Sequence, residues 1–185
     1  MNRIQSLWSA RARSFLLAVT VCAPGTLAGC TTPGPQVQKN LELGRFEGRW
    51  YEIARVPRDY DAHCHDTVAD YRRTTPGQMD VRHTCFMRSP TGPVHEFRAV
   101  ATADDPSEPA KMSLQIGSYT GAYWVLDVGD RYEYALVGHP SRTALWVLSR
   151  TPSLGEAEWN HALSFSKSQG FDIEALRRTP QSGSR

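Results

Sequence analysis

An all-β chain is predicted: eight antiparallel strands closing a barrel, followed by one α-helix near the C-terminus. Three observations carry this. Eight short segments alternate apolar and polar residues with a period of two, and proline, glycine and asparagine-like turn residues separate them. Eight strands close a barrel just wide enough for one small ligand, and closure removes the unpaired edges of an open sheet. A single helix-start signal appears, and only after the last alternating segment.

The first strand opens at Gly48 and runs through Trp50 to Arg55. The second and third, 67–71 and 79–83, flank Thr75-Pro76-Gly77, which reads as a hairpin turn. Strands 94–101, 111–116, 122–128, 133–137 and 144–150 follow, with breaks at Pro106, Pro109, Gly129-Asp130 and Gly138-His139-Pro140-Ser141. Ser153 and Glu156 have capping-box spacing, Pro152 precedes them, and Gly170 can supply the left-handed residue beyond the helix end. Trp159, Ala162, Leu163 and Ser166 share one face of that helix, and Phe171-Asp172-Ile173 could add a short strand.

The first residues read as an address. Arg3, Arg11 and Arg13 form a basic head, residues 15–23 are a short apolar run, and Leu27-Ala28-Gly29-Cys30 follows. The run is shorter than the ~20 residues of a membrane span and is broken by Pro24-Gly25, so it reads as a secretory signal. Leu-Ala-Gly-Cys resembles a bacterial lipobox, which implies cleavage before Cys30 and lipidation of its thiol. Thr31 in the next position implies sorting to the outer membrane. The expected organisation is therefore a signal peptide at 1–29, a lipidated linker at 30–39 that stands the body off the membrane, a barrel domain at 40–178 and a tail at 179–185.

Cleavage changes the charge balance. The whole chain has 21 basic and 19 acidic residues; losing three arginines leaves 18 against 19, a net charge of −1. Nothing in that balance, and no basic run with interleaved aromatics, points to nucleic acid. Four cysteines become two once Cys22 is removed and Cys30 is lipidated, so Cys64 and Cys85 are expected to pair in an oxidising compartment. Ala62-His63-Cys64-His65-Asp66 has competent metal ligands but no spacing that recruits more of them, so no metal is expected.

Residues Gly48-Arg49-Trp50-Tyr51-Glu52-Ile53-Ala54-Arg55 resemble the first signature of the lipocalins, and Leu145-Trp146-Val147-Leu148-Ser149-Arg150 resembles the third. Tyr123 to Asp127 with Asp130 to Val137 resembles the middle one, although Gly129-Asp130-Arg131 stands where the family usually has Thr-Asp-Tyr or a close variant. Leu148 to Pro152 is similar to the bacterial subgroup that also contains animal apolipoprotein D. The resemblance implies an up-and-down barrel with the helix packed outside it. It also implies that Gly48, Trp50 and Arg150 form a structural plug, with the guanidinium stacked on the indole and its donors turned to carbonyls near 43–46.

The ligand would then be held by the inward parity of each strand. By resemblance these positions are Glu52 and Ala54 on the first strand, Ala69 and Tyr71 on the second, and Phe97, Ala99 and Ala101 on the fourth. Met112, Leu114 and Ile116 follow on the fifth, Tyr123 and Val125 on the sixth, Ala135 and Val137 on the seventh, and Trp146 and Leu148 on the eighth. Such a lining suits a long acyl chain or another elongated hydrophobe, with Glu52, protonated or hydrogen-bonded, and Tyr71 as polar handles, and the resemblance implies a fatty acid or lysophospholipid. The expected protein is a non-enzymatic, cofactor-free lipid binder, anchored in the outer membrane through Cys30 and facing the periplasm, with a homodimer left open. Two alternatives are an enzyme using Cys64 as a thiol nucleophile and a tetrapyrrole binder using His63, His65 or His83.

Overall fold

A computed structural model describes residues 33–59 and 61–182; the expected signal peptide, Cys30 and the last three residues of the tail lie outside the described residues. Nine strands occur there: β1 (Gly48–Arg55), β2 (Cys64–Thr75), β3 (Gln78–Met87), β4 (Val94–Ala103), β5 (Lys111–Ile116), β6 (Tyr119–Val128), β7 (Tyr134–Gly138), β8 (Leu145–Ser149) and β9 (Arg177–Arg178). The first eight pair antiparallel in sequence order, and β1 joins both β8 and β2, so an eight-stranded barrel closes on itself. Two helices accompany it, α1 (Leu43–Phe46) at one end and α2 (Glu156–Ser168) on the outside.

Alternation along the strands sorts the apolar residues into two cores. Inside the barrel, Phe46, Trp50, Met79, Met112, Val125 and Val137 are fully buried around one another. Outside, Ile53, Leu126, Leu136, Leu145 and Val147 pack beneath Ala162, Trp159 and Phe165 of α2. Trp159 is thus a packing residue, covered by the Arg178 guanidinium 3.3 Å from its ring centre.

The helix ends as its sequence suggests but begins elsewhere. Gly170 has φ +82°, its N–H donates to Lys167 O at 3.0 Å, and Phe171 N–H reaches back to Ser166 O at 3.0 Å, the paired bonds of a Schellman end. At the start, Gly155 is the capping residue and no side chain caps the helix. The expected capping box does not form, because the helix starts at Glu156 and leaves Ser153 two residues before the cap, where its carbonyl accepts the hydroxyls of Ser149 at 3.2 Å and Thr151 at 2.6 Å. The extra strand also lies later than expected, at Arg177–Arg178 instead of Phe171–Ile173, where a 3-10 turn, Ile173–Ala175, begins.

Both ends of the described chain are fastened to the barrel. Pro33–Gln38 does not act as a free spacer: Arg142 Nη2 donates to Pro33 O at 2.7 Å, and Gln38 N–H donates to Val125 O at 2.9 Å. At the other end, Arg177–Arg178 pairs with Ala54–Arg55 of β1. Gln181 Nε2 then donates to Glu52 O at 2.9 Å and to Thr67 O at 3.0 Å, tying β1 to β2 beyond the point where their own ladder stops at Tyr51↔Val68.

A disulfide joins Cys64 to Cys85, with Cα atoms 5.4 Å apart and a sequence separation of 21. It cross-links the mouth ends of β2 and β3. Loop-closure entropy for a crosslink of this span is about 3 kcal/mol. Urea unfolding with and without reductant should therefore differ by about that amount; an unchanged midpoint would show that the bridge contributes nothing.

Candidate functional site

One end of the barrel is closed by a plug. Gly48 has φ +96°, and a Cβ there would lie 3.3 Å from Arg150 Nη1, so glycine suits both the backbone and the approach. The Arg150 guanidinium carbon lies 3.8 Å from the Trp50 ring centre. Its donors reach Arg45 O at 2.6 Å, Arg49 O at 2.9 Å and Tyr132 O at 3.3 Å. Trp50 Nε1 donates to Phe46 O at 2.8 Å. One stacked cation thus ties α1, β1 and the β6–β7 turn together across the base. Burial lowers the Arg150 pKa, and it still carries its charge at every ordinary pH.

Above the plug lies a chamber. Its floor is the hydrogen-bonded hydroxyl pair of Tyr71 and Tyr123, under which Phe46 meets Tyr71 edge-on at 5.1 Å. Burial pushes the Tyr71 hydroxyl up to about 12 and that of Tyr123 well above its usual value, so both stay neutral. Leu114, Ile116, Tyr123, Trp146 and Leu148 make an apolar wall, with Phe97 and Ala69 on the facing strands. Arg58, Tyr119 and His139 stand at the mouth, Arg58 lying 5.4 Å over the Trp146 ring.

The expected lining residues divide by depth. Glu52, Ala69, Tyr71, Phe97, Leu114, Ile116, Tyr123, Trp146 and Leu148 line the chamber. Ala99, Ala101, Met112, Val125, Ala135 and Val137 also face inward, but they pack in the filled core lower down. Ala54 is a correction. A β-bulge between Glu52 and Ala54 shifts the register against β8, so Ala54 turns into the outer core with Ile53, and Arg55 comes round beside Glu52.

Arg55 builds the least expected feature. Both Arg55 and Glu52 are 4% exposed. Arg55 Nη1 donates to Glu52 Oε1 and, at 2.8 Å, to Thr179 Oγ1, while Nη2 donates to Asp61 O and Nε lies 3.3 Å from Asp61 Oδ1. Thr179 Oγ1 donates to Glu52 Oε1 at 2.6 Å. Burial alone would raise the Glu52 pKa, but His83, Arg55 and Thr179 together outweigh it and hold the carboxyl below its ordinary value. Glu52 is therefore a hydrogen-bonded, ionised carboxylate and not a protonated one.

Strand β3 supplies two lining residues outside the expected acyl-ligand set, Val81 and His83. Both share the inward parity of Met79, and His83 stacks on Phe97 at 4.4 Å. Of the three histidines considered for a tetrapyrrole, His83 alone lines the chamber; His63 and His65 lie in an outer groove with Arg177 and Pro180. Cys64 cannot act as a thiol nucleophile, because its sulfur is bonded to Cys85.

The chain matches the lipocalin-like domain model over residues 41–181. It is 35% identical over 156 residues to temperature-induced lipocalin-1 of Arabidopsis thaliana, covering 80% of this chain and 83% of that protein. It is 28% identical over 180 residues to the outer membrane lipoprotein Blc of Citrobacter freundii, covering 92% and 99%. Lobster apocrustacyanin A1 superimposes with a TM-score of 0.64 at 16% identity, covering 82% of this chain and 91% of that one, which is a likeness of fold. With the closed barrel, the outer helix and the arginine-on-tryptophan base already in place, the family match settles the point: the chain belongs to the lipocalin family.

Proposed function

We propose that this protein is a binding protein that holds an acyl lipid, a fatty acid or lysophospholipid, in the chamber between the Tyr71–Tyr123 floor and the mouth. The chamber itself carries the reading: an apolar wall closed below and open above, with its charged groups gathered on one side. Its free space is about 100 Å³, less than the roughly 300–1,000 Å³ of pockets that enclose a drug-sized ligand. A long chain therefore enters by its end, and the remainder passes the mouth between Arg58, Tyr119 and His139. The location follows the sequence: a lipobox ending at Cys30, with the bacterial relative described as an outer membrane lipoprotein in support. In this reading Cys30 carries the anchor and the barrel faces the periplasm.

Displacement of a fluorescent fatty acid tests the site. Wild-type protein should bind the probe and release it to unlabelled palmitate. Ala69→Phe, which places a ring in the chamber from a 6% exposed position, should weaken binding at least tenfold. Equal binding by the two proteins would place the ligand elsewhere.

A further inference from the structure

The chamber has one polar wall, and strand register builds it. Trp50 pairs with Ala69 across β1 and β2, and beyond the last pair, Tyr51 with Val68, the carbonyls of Glu52 and Thr67 both accept from Gln181 Nε2; Ala69 in turn pairs with His83 on β3. Glu52, Thr67 and His83 thus stand on three adjacent strands at neighbouring levels, and all three line the chamber. Leu114, Ile116 and Leu148 supply apolar lining to the same space.

Thr67 is 1% exposed, and among the described residues its hydroxyl has no hydrogen-bond partner. An unsatisfied buried hydroxyl costs about 1–3 kcal/mol, so its place on a ligand chamber calls for a guest. Beside it, Glu52 Oε1 is occupied by Arg55 and Thr179, while Oε2 lies 4.0 Å from His83 Nε2. That distance is too long for a hydrogen bond, and one inserted oxygen atom can bridge it.

We infer that Glu52, Thr67 and His83 form a subsite for the neutral hydroxyl of a monoacyl glycerolipid. The hydroxyl donates to Glu52 Oε2 and accepts from Thr67 or from the His83 ring. A free carboxylate would lie against the ionised Glu52 away from water, where like charges repel strongly. The acyl carbons nearest the glycerol lie along the apolar wall, the rest of the chain leaves by the mouth, and any phosphate-bearing head turns toward Arg58 there. This inference rests on the acyl-lipid reading of the chamber and narrows its ligand class.

The test compares 1-palmitoylglycerol with palmitate as competitors of a fluorescent probe, on wild type and Thr67→Val. Wild type should prefer the glycerolipid. Thr67→Val should lose about tenfold in affinity for 1-palmitoylglycerol, stay within twofold for palmitate, and unfold at the same or a higher urea concentration, because no internal hydrogen bond is lost. Equal losses for both lipids, no loss for the glycerolipid, or a lowered unfolding midpoint would each overturn the subsite. Palmitate displacing the probe from wild type while 1-palmitoylglycerol fails would overturn the subsite alone; failure of both would sink the acyl-lipid reading with it.

Discussion

Arg55→Ala should destabilise the protein by about 4 kcal/mol at pH 7, the range expected when one member of a buried ion pair is removed. The cause is the charge left behind. Glu52 is 4% exposed, and Arg55 is the cation bonded to it. Without Arg55, only His83 and Thr179 remain to set against burial, so the Glu52 pKa rises relative to wild type. The sign of the pH dependence then follows. In wild type the folded pKa is lowered, so the stability Glu52 contributes is present above the unfolded pKa and lost as pH falls through the folded one. In the variant the folded pKa is higher than in wild type, so the penalty is relieved as pH falls through it. Urea unfolding at pH 7 and pH 5 should show the gap between the two proteins narrowing at the lower pH. A gap independent of pH would mean that lost packing, and not an orphaned carboxylate, explains the cost.

Arg150→Ala should cost about 3 kcal/mol. Stacking on a partly buried indole is worth about 1–2 kcal/mol, and charged hydrogen bonds about 1.5–3 kcal/mol each before non-additivity. Three carbonyls lose a donor at once, those of Arg45, Arg49 and Tyr132. Arg150→Lys should recover only part of this, since an ammonium cannot stack flat and reach three separated carbonyls. The affinity of folded protein for a fluorescent fatty acid should change little, because Arg150 lies below the Tyr71–Tyr123 floor and does not line the chamber. Full stability in Arg150→Ala would remove the plug from the account.

Much of this was legible in the residues. Two-residue alternation locates all eight barrel strands, because one face of each meets an apolar core and the other meets solvent or α2. The same parity places Tyr71, Leu114, Tyr123 and Leu148 on the chamber, and would have placed Val81 and His83 had β3 been followed inward from Met79.

Three features left no local mark. The bulge after Glu52 has no glycine to announce it, yet it turns Ala54 outward and brings Arg55 to Glu52. The part taken by Thr179, Gln181 and Ser182 depends on contacts with residues more than a hundred positions away, so a polar C-terminal stretch reads as a loose tail. Depth within the barrel is equally hidden: Met112 and Leu114 have the same parity, but one is fully buried in the base and the other reaches the chamber.

Native mass spectrometry of the protein released from its own membrane tests the central claim most directly. The account predicts a one-to-one complex with an acyl lipid that dissociates when a fluorescent fatty acid is added in excess. Protein recovered with no bound lipid, and with no affinity for the fluorescent fatty acid, would contradict it.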